Sequence, residues 1–131
     1  MTSDIKTFQD LNFVQDPNYP HEAFNQPPKF NAELSTDEYT VSVVYGGNTY
    51  SSADCSPDGS KATYEVAVWD KYGESLKLSD HDAVLGWTSP DEITRIMKLI
   101  QLRPDLLRPK NMFDMAMATF TVEQLCDEAG V

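Results

Sequence analysis

Apolar and polar residues alternate over 39–45. Tyr39, Val41, Val43 and Tyr45 fall on one side of the chain, and Thr40, Ser42 and Val44 on the other. A period of two puts successive side chains on opposite faces, so this stretch predicts a strand with one apolar face. Gly46-Gly47-Asn48 predicts a turn, with 49–51 as a returning strand, and Pro57-Asp58-Gly59 marks a loop over 53–61. Alternation resumes over 63–69, where Tyr64, Val66 and Val68 face one way and Glu65, Ala67 and Trp69 the other. Asp70-Lys71-Tyr72-Gly73 predicts a hairpin turn in which Gly73 is free to take positive φ. Residues 75–78 then pair back, and 84–87 form a short last strand. Neighbouring strands joined by short turns pair antiparallel.

The periodicity changes after residue 88. Ser89-Pro90-Asp91-Glu92 is a helix start: Ser89 caps free N–H groups, Pro90 suits the first helical position, and Glu92 completes a capping box. Ile93, Ile96, Met97 and Ile100 recur at i, i+3, i+4 and i+7, which gives an apolar stripe for the sheet. Pro104 stops this helix after Arg103. A second helix is expected over 110–118. Thr121-Val122-Glu123-Gln124 opens a third that runs to about Glu128 and is ended by Gly130.

Residues 1–36 read as an irregular N-terminal arm, because Pro17, Pro20, Pro27 and Pro28 remove backbone donors. Phe8, Leu11, Phe13, Val14, Tyr19, Phe24 and Phe30 give that arm more apolar side chains than a disordered segment carries, so it is expected to pack over the rest. The expected architecture is α+β. A small antiparallel sheet of four or five strands packs one face on the helix from Pro90, with further C-terminal helices, and 37–131 form a single domain.

Charge narrows the classes of partner. The chain carries 21 Asp+Glu against 10 Lys+Arg, a net charge of −11 over 131 residues. The acids number six in 1–37, eight in 38–89 and seven in 90–131, against two, three and five bases, so the excess is concentrated before residue 90. Phosphate backbones and anionic membrane surfaces would repel such a chain, which argues against direct nucleic-acid or membrane binding. A basic protein would be attracted. No apolar run reaches the length of a membrane span, and MTSDIKTFQD lacks a basic start followed by an apolar stretch, so no export signal is expected. Cys55 and Cys126 are too few for a disulfide scaffold, and a reduced cytoplasmic protein is expected.

Few residues carry specific chemistry. Asp80-His81-Asp82 is the one dense set of possible ligands, and a small metal-binding or hydrolytic module around it is one alternative. Adjacent residues rarely chelate an ion alone, and Asp and His are common in a polar turn before a strand, so a solvated turn is the preferred reading and no metal, cofactor or catalytic residue is expected. Cys55 lies in a Ser/Asp loop with no base before Lys61 to lower its pKa, and no serine stands in a nucleophile elbow. Phe120 to Val131 (FTVEQLCDEAGV) resembles the opening of a helix-turn-helix unit, but these twelve residues contain no recognition helix.

Trp69 is the residue left over. With the helix on the face of Val66 and Val68, Trp69 and Val44 point away from it, to be covered by the arm or by a partner. The acids near this face and its turns are Asp54, Asp58, Glu65, Asp70, Glu74, Asp80 and Asp82. They are expected to form a negative rim around an aromatic centre. The sequence thus predicts a non-enzymatic acidic module that binds a basic protein, such as a nucleic-acid-handling host protein held by an inhibitor of viral or mobile-element origin that mimics nucleic acid. A structural subunit of an assembly such as a virion is a further alternative.

Overall fold

The protein is described by a computed structural model, over residues 5–26, 28–47, 49, 63–76, 84–107 and 122–131. Five strands form one sheet: β1 (Val14–Gln15), β2 (Lys29–Ser35), β3 (Tyr39–Gly46), β4 (Tyr64–Asp70) and β5 (Val84–Thr88). Their spatial order follows their order in sequence, and every pair is antiparallel. Helix α1 (Pro90–Leu102) packs on one face, and α2 (Val122–Ala129) joins the same core. This is the α+β arrangement that the alternation and the helix start imply.

Alternation decides what each strand buries. Val41, Val43, Val66 and Val68 are each no more than 1% exposed, and they meet Ile93, Met97, Leu99 and Ile100 of α1 in one apolar cluster. Each fully buried side chain of this size contributes about 1.5–3 kcal/mol of transfer free energy. The start of α1 has the local chemistry its sequence implies. The Glu92 N–H donates to Ser89 Oγ at 3.2 Å, and the Ser89 N–H donates back to the Glu92 carboxylate at 3.4 Å. Arg103 ends the helix, and its guanidinium forms a two-pronged pair with Asp105 at 2.9 and 3.0 Å.

The described part of the expected arm, 5–26 and 28–36, is more ordered than an irregular arm. Lys29–Ser35 is a full strand in register with β3 from Lys29↔Gly46 to Ser35↔Thr40. Its pattern is regular, with Phe30, Ala32 and Leu34 on the core face and Lys29, Asn31, Glu33 and Ser35 on the other. Pro28 stands directly before this strand and does not interrupt it. Upstream, Phe8–Asp10 form one 3-10 turn whose Phe8 N–H donates to Thr94 Oγ1 of α1 at 3.0 Å. The Gln101 side chain holds both backbone groups of Lys6 at 2.9 Å. Phe8 and Phe13 then join Tyr45 and Tyr64 in an aromatic cluster that closes one end of the core, with ring centroids 5.0–6.1 Å apart.

Two stretches depart from regular strand geometry. Between Leu85↔Val66 and Thr88↔Tyr64, β5 takes three steps against two on β4, so Gly86 and Trp87 form a bulge. Thr88, only 1% exposed, closes it by donating to the Leu85 carbonyl at 3.1 Å. Trp87 is left at φ 49° with its side chain 62% exposed. After β4 the chain turns through Gly73 at φ 84°, and Ser75 pairs back on Trp69. The expected return strand over 75–78 is visible to Leu76, whose N–H donates to the Val68 carbonyl at 2.8 Å. The expected strand over 49–51 and helix over 110–118 lie outside the described residues or almost wholly so.

Candidate functional site

The sheet has a second face, built from the other half of the alternation. Cross-strand register arranges it in rows: Asn31–Val44–Glu65, then Glu33–Ser42–Ala67, then Ser35–Thr40–Trp69. The middle row has two small side chains, Ser42 and Ala67, directly opposite each other. They lower the floor between the longer side chains of the flanking rows. The result is a recess of about 670 Å³ floored by Ser42, Val44 and Ala67, with Glu33, Glu65 and Trp69 around it. That volume is in the range of small-ligand and peptide pockets. None of these six side chains belongs to the core cluster on the helix side.

The N-terminal arm walls the recess. Strand β1 pairs with β2 through Val14↔Asn31, and the Asp16 N–H donates to the Lys29 carbonyl at 2.8 Å. This brings Asn12, Val14, Asp16 and Pro17 to the edge of the recess, with Lys29 beside them. The arm therefore divides its side chains, sending Phe8, Leu11 and Phe13 to the core side and Val14 and Asp16 to this face. Asn31 donates from its side-chain amide to Ser42 Oγ at 3.0 Å, which holds the floor polar but satisfied. Among the described lining residues, three carboxylates (Asp16, Glu33, Glu65) stand against one ammonium (Lys29), so the lining is net negative.

The eight residues singled out from the sequence divide. Glu65 and Trp69 line the recess together. Asp70 is the next residue along β4, so the pleat turns it to the helix side, opposite Tyr39. Its carboxylate accepts the N–H groups of Tyr72 at 2.9 Å and Glu74 at 3.0 Å, and so shapes its own turn. Glu74 is exposed in that turn. Asp54, Asp58, Asp80 and Asp82, together with His81, lie outside the described residues. Asp16 and Glu33 belong to the site and were missed. The signal for Glu33 was present in the alternation of KFNAELS; Asp16 arrives only through the β1–β2 pairing.

Against family models, curated proteins and solved structures, the chain finds no match. Among the described residues no three His, Cys, Asp or Glu side chains gather as a metal site, and no helix is long and apolar enough to cross a membrane. Cys126 is buried in α2.

Ionisation on the core side is perturbed by burial. Tyr39 is 5% exposed. Its burial first, and the negative Asp70 second, push its phenol above the ordinary 10.0. Tyr64 is raised in the same way by burial and then by Tyr45. A raised folded-state pKa leaves stability intact below the unfolded value of about 10 and removes it as pH climbs through the folded value. We therefore expect a phenolate absorbance titration to show at least two of the six tyrosines ionising late. Tyr39→Phe should remove one late step, and a single common transition near 10 would contradict the burial of both rings.

Proposed function

We propose that the protein is a non-enzymatic acidic binding module that docks on a basic protein partner through the face of the sheet opposite α1. One observation carries this reading: Trp69 and the carboxylates of Glu65, Glu33 and Asp16 converge on a recess outside the apolar core. An aromatic side chain within a polar, charged surround has the make-up of an interface anchor. The chain's −11 charge adds long-range attraction, which speeds encounter with a positive surface, while the desolvated indole slows release. A groove built to hold phosphates is the basic surface that this charge fits best, so nucleic-acid-handling proteins are the favoured partner class. The cytoplasm is the favoured compartment, where the buried thiol of Cys126 stays reduced.

The test is a pull-down with the immobilised chain at low and high salt, repeated with Trp69→Ala. Basic proteins should be retained by the wild type, lost as salt is raised, and lost at low salt from the variant. Retention that ignores both salt and Trp69 would refute the reading.

A further inference from the structure

The recess also says what kind of segment it takes. Its rows follow the strand repeat, so Glu65, Ala67 and Trp69 stand at i, i+2 and i+4 along β4 on one face. Alternate residues of a strand are about 6.7 Å apart, the same spacing at which an extended peptide presents its own side chains. The indole lies at one end of the row and the Glu65 carboxylate at the other, with the small Ala67 and Ser42 as the gap between them. Glu33 faces that gap from β2. Lys29 stands at the far end beside Asp16, where it disfavours continuation of a positive segment.

We infer that the recess holds an extended, arginine-bearing segment of the basic partner, with one guanidinium flat against the Trp69 indole and a second cation between Glu65 and Glu33. This rests on the docking reading above. Arginine fits better than lysine for two reasons. Its planar, weakly hydrated guanidinium stacks on an indole face, and its fork of N–H donors matches a carboxylate in two places at once. An ammonium is a compact, strongly hydrated point charge that does neither as well.

The experiment uses the full chain carrying Trp87→Phe, which leaves Trp69 as its one tryptophan. A capped seven-residue peptide alternating Arg and Thr is titrated against Trp69 fluorescence, and its Lys counterpart is run beside it. The Arg peptide should perturb Trp69 emission and bind about fivefold more tightly than the Lys peptide. E33Q/E65Q should weaken it about tenfold. E22Q/E128Q removes the same charge from exposed positions away from the recess and should change binding less than twofold. Equal binding of the Arg and Lys peptides, or equal loss in the two double variants, overturns the inference while salt-sensitive capture of basic proteins still upholds the docking reading. Absence of any salt-dependent binding to either peptide, with no basic protein retained in the pull-down, overturns both.

Discussion

Leu99→Ala should lower the free energy of unfolding by about 3 kcal/mol, measured by equilibrium urea denaturation. Leu99 has no exposed surface. Removing three of its carbons forfeits their transfer free energy and leaves a cavity that rigid neighbours cannot fill. The residue also lies at the edge of the α1 stripe rather than at its centre. At 100° per residue it falls on the flank shared with Arg95, one turn earlier. That flank is where α2 is tied down: Arg95 donates to the Val131 carbonyl at 2.7 Å and pairs with Asp127 at 2.6 Å. The ion pair is largely exposed and contributes little by itself, so the apolar contacts of Leu125 and Cys126 must hold most of the helix. The variant should therefore loosen α2 as well as weaken the whole, visible as early amide exchange over 122–129. Leu102→Ala, at a position 48% exposed, should change stability by less than about 0.5 kcal/mol. A loss below 1 kcal/mol at Leu99 would show that this flank is not part of the core.

The burial of Leu99 also marks where local patterns stop being informative. The α1 boundaries were legible because caps, Pro90 and Pro104 act within a few residues of the helix ends. The stripe of Ile93, Ile96, Met97 and Ile100 was legible because it faces one sheet. Leu99 is buried off that stripe, on the flank that Arg95 ties to α2, and a stripe of period 3.6 facing one sheet does not encode that. The strands show the same division. β3 and β4 alternate cleanly and were legible. β2 alternates as cleanly, but two prolines beside it read as a break in the whole region, although proline constrains only its own position and the residue before it. The bulge that exposes Trp87 leaves no trace in the order Leu85-Gly86-Trp87-Thr88; it is a property of the pairing with β4. At the site, strand alternation put Glu65 and Trp69 on one face. The same alternation excludes Asp70 from that face. Closeness in sequence is a poor guide to closeness on a pleated surface, which is why Glu33 and Asp16 outrank it.

Gly46→Ala should be about as damaging as a core truncation, with a loss of about 3 kcal/mol or more, although it adds only one methyl group. Two costs combine. Gly46 sits at φ 102°, a conformation in which an L side chain costs about 1–2 kcal/mol. The added Cβ would also land within the backbone carbonyl of Pro28. That carbonyl cannot retreat freely, since it belongs to a proline, accepts the Gly47 N–H at 3.3 Å and precedes Lys29, the partner of Gly46 in the ladder. Lys29 in turn accepts the Asp16 N–H through its carbonyl, so relief of the clash would pull on β1, β2 and the wall of the recess together. Gly73→Ala isolates the first cost. Gly73 has φ 84° but open space around its Cα, so only about 1 kcal/mol should be lost there. The difference between the two variants in urea denaturation measures the collision itself. Were both to cost about 1 kcal/mol, the start of β2 would be free to shift, and the wall that Asp16 and Lys29 provide would not be the fixed boundary on which the docking geometry depends.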